Sequence, residues 1–156
     1  VFSIATHRLV KATLLRSAKR TLALRTQEMC EDLWDYCLDV DGGVQATIEK
    51  PVIYPPGARH KDRHKRVNPK DLMDLSTVVG ALLATCGGGT YVEPATWKGQ
   101  VPKDVCHRRI RKILSIEENQ TLDKCLRDVP SGLRHNVLDA VGIGLYAIRR
   151  GPKNNA

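Results

Sequence analysis

The chain has 156 residues, enough to enclose one hydrophobic core without disulfide or metal staples. At 42% hydrophobic and 27% charged residues it reads as an ordinary soluble globular protein rather than a disordered or fibrous one, and no apolar stretch nears the roughly 20 residues that span a bilayer. Twenty-five Lys and Arg against seventeen Asp and Glu leave a charge of +8, which points to a polyanionic partner, most often nucleic acid.

Val1–Ile4 and Leu9–Leu15 are apolar, strand-like runs on either side of the polar Thr6-His7-Arg8, the pattern of a hairpin. From Thr21 to Val40, the residues Leu22, Met29, Leu33, Tyr36, Cys37 and Val40 fall near one helical face, and Asp41-Gly42-Gly43 stops the helix. Val44–Lys50 predicts a short strand ended by Pro51. Residues 55–69 form a polar loop, from which Asn68-Pro69 opens a second helix. Its apolar face is Leu72, Leu75, Val79 and Leu82/Leu83, and Gly87-Gly88-Gly89 ends it. Thr90–Glu93 predicts a brief strand closed by Pro94, and Pro102–Leu114 a basic helix. Ser115-Ile116-Glu117-Glu118 has the form of a capping box opening the next helix. After Pro130-Ser131-Gly132 a last helix runs from Leu133 to about Arg149. Strands alternating with helices predict an α/β architecture with a mixed sheet, organised as one domain over 1–151 and a flexible tail over 152–156. Residues 1–20 hold no signal-peptide core or cleavage site, so the expected location is cytoplasmic.

Five cysteines (Cys30, Cys37, Cys86, Cys106 and Cys125) are odd in number and include no C-x-x-C pair, which leaves no zinc-ligand spacing and suggests reduced, buried thiols. With one Phe, two Trp and four Tyr the chain lacks the aromatics of a base-stacking platform. No phosphate-binding glycine loop or nucleophile elbow occurs, and the Gly142/Gly144 pair, lying within a helix, reads as close packing.

Three features carry candidate chemistry. Glu49 is a carboxylate near the end of an otherwise apolar strand, where α/β sheets face their ligand crevices; the alternative is an edge-strand Glu facing solvent. Asp139 lies in the last helix, roughly opposite the stripe Val137, Val141, Gly144 and Ile148, with His135 and Asn136 one turn before it on the same face. A carboxylate with a His one turn away can ligate a hard divalent ion or activate water; the alternative is a solvated polar face. The third feature is the run Arg59-His60-Lys61-Asp62-Arg63-His64-Lys65-Arg66, suited to phosphate contact, with a solvated charge run as the alternative. His107-Arg108-Arg109 with Arg111 and Lys112 forms a second basic surface. Trp97-Lys98-Gly99 precedes it, with Trp97 either a loop anchor or a nucleic-acid contact.

Taken in order, ATIEKPVIYP (46–55), NPKDLMDLSTVVGALLA (68–84), YVEPATWKGQVPK (91–103) and HNVLDAVGIGLYAIRRG (135–151) resemble the RuvC-type Holliday junction resolvases, over most of residues 44–151. The resemblance implies a ribonuclease H-like fold, a mixed five-stranded sheet flanked by helices, and a structure-selective endodeoxyribonuclease that hydrolyses phosphodiester bonds at four-way junctions. It places Glu49 and Asp139 as catalytic metal ligands, His135 as a ligand or water-orienting base, and Asn136 as the weaker candidate ligand. Two Mg²⁺ ions ~3.5–4 Å apart would activate water and stabilise the leaving alkoxide, with Mn²⁺ as a substitute. Arg59, Lys61, Arg63, Lys65, Arg66, Lys98, Arg108 and Arg109 would hold the DNA backbone. A homodimer is implied, with no membrane and no small-molecule cofactor.

The family's first strand, which carries a catalytic Asp in a D-P-G-like turn, has no counterpart here, since the chain opens on what resembles the second and third strands. That strand is central in the ribonuclease H-like fold, so the chain as it stands is expected to fold poorly and to have an incomplete metal site. Each unpaired buried backbone group would cost of order 1–3 kcal/mol. A start at Val1 fits a truncated reading frame, a lost segment or an unusual start codon. The rival readings are a catalytically inactive basic junction- or RNA-binding module of the same fold, and a related nuclease acting on RNA or on another branched DNA. The nuclease reading requires the Glu49 and Asp139 carboxylates to lie on the same side of the molecule.

Overall fold

A computed structural model describes residues 2–3, 5–38, 44–51 and 68–150, of which 62% are helical. In chain order the elements are β1 (Phe2–Ser3), β2 (Arg8–Leu9), α1 (Leu22–Leu38), β3 (Ala46–Glu49), α2 (Pro69–Thr85), β4 (Gly89–Val92), α3 (Pro94–Lys98), α4 (Lys103–Ile113), α5 (Ile116–Arg127) and α6 (Arg134–Ala147), with a 3₁₀ turn over Ser131–Leu133 leading into α6. The mixed α/β class agrees with the sequence pattern. The sheet does not take the expected form: among the described residues the strands make two separate two-stranded ribbons, β1–β2 and β3–β4. In the first, Phe2 pairs with Leu9 and Ser3 with Arg8, antiparallel. A ladder extends only as far as its partner, so the strand-like composition of Leu9–Leu15 does not make a longer strand, and the chain is irregular beyond Leu9.

The chain divides into two compact units, one of Val1–Leu14, Thr47–Glu49 and Tyr91–Ala156, the other of Leu15–Ala46 and Lys50–Thr90. In the first, α4 and α3 pack on α6, and α5 packs on β2. Its core centres on Trp97, Ile110, Leu122, Val141 and Leu145. The buried face of α6 is Val137, Val141, Gly142, Ile143 and Leu145, broader than the stripe predicted from periodicity. Gly142 is where the helices close in. A Cβ there would sit 2.5 Å from a Trp97 ring carbon and 2.7 Å from Ile110 Cδ1. Gly142→Ala should therefore destabilise the unit by about 1–3 kcal/mol, the usual cost of overpacking, read as a lower urea midpoint at unchanged slope. At Gly144 the crowding neighbour is the Phe2 ring of β1.

The capping box forms as the sequence predicts. Ser115 Oγ accepts from the Glu118 N–H at 3.3 Å, and the Glu118 carboxylate accepts from the Ser115 N–H at 2.8 Å. That carboxylate is itself buried, and it also accepts from the Leu9 N–H at 2.6 Å and from both Arg150 Nη atoms at 2.7 and 2.9 Å. Arg150 further donates to the carbonyls of Ile113, at 3.1 Å, and His7. His7 sits in the β1–β2 turn with φ 53°, the left-handed region.

In the second unit α1 and α2 pack together, with Val79 and Leu83 of α2 buried. Asn68 Oδ1 caps α2 by accepting from the Lys70 N–H at 3.0 Å, and Pro69 occupies the first turn, where its missing N–H costs nothing. The glycine stop also forms, with Gly87 and Gly88 at φ 73° and 115°.

Candidate functional site

Glu49 ends β3, half-buried. Its Oε2 accepts from the Trp97 indole N–H at 2.7 Å, and Lys98 Nζ lies 3.7 Å from the same oxygen. The Lys98 ammonium also stands 5.1 Å from the centre of the Trp97 ring, a cation–π arrangement. The sequence leaves residues 94–98 as a loop, whereas the structure makes them a five-residue helix, α3, started by Pro94 and ended by Gly99 at φ 65°. Pro94 and Trp97 are its buried residues, so Trp97 anchors α3 to the core and at the same time holds Glu49 by its polar edge.

Asp139 is half-buried on α6. Its Oδ1 bonds His107 Nε2 at 2.8 Å, and its Oδ2 lies 3.2 Å from Lys103 Nζ. Lys103 and His107 are one turn apart on α4, the spacing that brings both to the neighbouring helix. Trp97 links Glu49 to the helix of Asp139: it hydrogen-bonds Glu49 while its ring lies against Gly142, three residues after Asp139 on α6. Buried Cys106 lies among these groups. Burial pushes its thiol pKa up, the Asp139 carboxylate adds to the rise, and Lys98 and Arg109 oppose it.

The histidine beside Asp139 is therefore His107, which the sequence assigns only to a basic surface. His135 is half-buried and Asn136 exposed on α6, and neither makes a hydrogen bond or ion pair with Asp139. Their shared face follows from the helical period, but Asp139 finds its partners across the α4–α6 contact. The signal that points there is Lys103-x-x-x-His107 on a predicted basic helix, which by itself names no partner.

The cations are not equivalent. Arg108 is engaged by Asp104 at 3.3 Å, and Arg111 by Asp123 at 2.8 Å. Arg109 and Lys112 are exposed, with no ion-pair partner among the described residues. Arg59, Lys61, Arg63, Lys65 and Arg66 lie outside the described residues.

Among the described residues no three His, Cys, Asp or Glu side chains converge as a metal site would need. Glu49 and Asp139 each already have an ammonium group beside them, and a hard divalent cation would compete with it for the same oxygen. The described residues do not by themselves fit a two-ion cage. As placed, they form charge-compensated carboxylates bordered by lysines, with His107 held to Asp139 through one ring nitrogen. No helix among the described residues is long and apolar enough to cross a membrane. Comparison with family models, with curated proteins and with solved structures finds no match in any of the three.

Proposed function

We propose that the chain is a structure-selective endonuclease of the RuvC type, with a ribonuclease H-like architecture, hydrolysing phosphodiester bonds in four-way DNA junctions as a homodimer. The observation that supports it is the link from Glu49 through Trp97 to the helix of Asp139. Glu49 and the Asp139 helix, far apart in sequence, meet different edges of one buried indole. Lys98 and Lys103 beside them supply positive charge for a phosphate backbone. Magnesium or manganese in such a reaction would need ligands besides Glu49 and Asp139. The chain's own contribution is to hold the two carboxylates, and His107 against one of them, in fixed positions.

A second reading is a junction- or RNA-binding module without catalysis. It is favoured by the lysine beside each carboxylate and by the lack of a three-ligand cluster among the described residues. Cleavage and gel-shift assays on a four-way junction, a flap, a linear duplex and a structured RNA, with and without Mg²⁺, separate the readings. The nuclease reading expects Mg²⁺-dependent nicks in the junction alone. Tight junction binding with no cut establishes the module, and cutting of RNA transfers the activity to a different substrate.

A further inference from the structure

The surplus positive charge is concentrated in places, and one of them lies in the second unit at the entry to α1. Arg16, Lys19, Arg20 and Arg25 are all exposed there, and none of the four side chains has an ion-pair or hydrogen-bond partner among the described residues. No Asp or Glu interrupts the stretch 16–25. The next acid in the chain, Glu28, is half-buried and engaged elsewhere, because the Ser17 hydroxyl donates to its carboxylate. The same Ser17 oxygen accepts from the Lys19 N–H at 3.2 Å, which fixes the turn between Arg16 and Lys19 and ties it to α1. Thr21 Oγ1 then accepts from the Leu24 N–H at 3.3 Å and starts the helix. Helix stability does not favour cations at this end, where the backbone already carries partial positive charge, and α1 has no acidic residue in its first turn. Further along α1 the surface changes sign, with Glu31, Asp32 and Asp35 exposed.

We infer that this cationic entry is a contact for the sugar–phosphate backbone of a nucleic acid, made by Arg16, Lys19 and Arg20 with Arg25 in the first turns of α1. Unpartnered ammonium and guanidinium groups neutralise phosphates and release their counterions, whereas cations already paired have to break a bond first. A protein partner would call for an aromatic or apolar anchor at the centre of the patch. The stretch has no aromatic residue, and Leu24 is its one large exposed apolar side chain. An anionic lipid surface would call for an apolar face running beside the cations, and α1 continues instead into exposed carboxylates. Those carboxylates repel a polyanion, so the contact is confined to the helix entry. It reads charge and not base sequence, and therefore adds affinity equally for branched and linear DNA. The contact rests on the nucleic-acid substrate of the proposed function but not on its cleavage chemistry.

The test measures fluorescence anisotropy of a labelled four-way junction and a labelled linear duplex with the full chain over a series of KCl concentrations. The double variant Lys19→Gln/Arg20→Gln should lose roughly tenfold or more in affinity for both DNAs, and its slope of log K against log salt should shrink by about 2, one for each lost phosphate contact. Arg16→Gln alone should shrink the slope by about 1. Lys124→Gln/Arg127→Gln removes the same charge from exposed positions on α5, in the other unit, and should leave affinity and slope near those of the parent. All these side chains are exposed, so the variants should keep the parent's circular dichroism. An unchanged slope in Lys19→Gln/Arg20→Gln, an equal loss in the α5 pair, or a parent that binds neither DNA would overturn the inference. So would parent binding to phosphatidylserine vesicles that exceeds its binding to the duplex and disappears in the double variant. Loss of affinity in a parent that binds the junction without cutting it upholds the contact and removes the nuclease reading, whereas cutting with an unchanged slope does the reverse.

Discussion

Arg150→Met should destabilise the first unit by about 3–5 kcal/mol, because it strands a buried carboxylate. Glu118 is 2% exposed, and its two oxygens serve four donors: Leu9 N–H, Ser115 N–H and the two Arg150 Nη groups. Arg150 in turn satisfies the carbonyls of Ile113 and His7, so one ion pair ties the hairpin turn, the α4–α5 corner and the chain beyond α6. Glu118→Gln should cost a comparable amount. Replacing both residues by Leu should cost less than the sum of the single losses, because neither charge is then left alone. Urea unfolding monitored by circular dichroism measures all three.

The same pair sets an acid limit. The Arg150 guanidinium, helped by the Ser115 and Leu9 N–H groups, holds the Glu118 pKa down from 4.5 to about 2. A depressed carboxyl pKa stabilises the fold above its unfolded value, and that contribution fades as pH falls from 4.5 towards 2. The span corresponds to about 3 kcal/mol. Urea midpoints measured from pH 7 down to pH 2.5 should drop steeply below pH 4.5 in the native protein and more gently in Glu118→Gln. Equal slopes would remove Glu118 as the responsible group.

Glu49→Gln and Asp139→Asn should each lower junction cleavage by on the order of 10³-fold or more, as loss of a member of a catalytic set does. Junction affinity should change little. Both replacements keep the local hydrogen bonds satisfiable. In Glu49→Gln the new amide oxygen can still accept from the Trp97 indole, and in Asp139→Asn the amide oxygen can still accept from His107, so only the lysine pairs are lost. Those pairs are partly exposed and contribute little to stability. Midpoints within about 1 kcal/mol of the parent protein are therefore expected, and the kinetic loss reports on the site rather than on unfolding. Undiminished nicking by either variant removes that residue from the reaction. His135→Ala should leave cleavage and binding near their starting values, because Asp139 takes its histidine from α4. A loss as large as that of Asp139→Asn would restore His135 to the site.

What the sequence settles by itself is local. Asn68-Pro69, the Ser115–Glu118 box and the glycine run after Cys86 each satisfy or release backbone groups within a few residues, so the helix ends fall where the residues place them. The short strand ending at Glu49 is equally legible, as is the close packing at Gly142. What only the tertiary structure decides is which side chains meet across elements. The helical period puts His135 on the face of Asp139, yet packing of α4 on α6 gives Asp139 to His107 and Lys103. The capping box announces Glu118 as a local acceptor, and the fold also gives it Arg150, thirty-two residues away. The strand-like run Leu9–Leu15 lacks a partner long enough to pair it, so the two ribbons replace the expected sheet. Periodicity and capping depend on interactions within one or two helical turns, whereas these pairings depend on how whole helices dock, and the pattern of a single segment does not encode that.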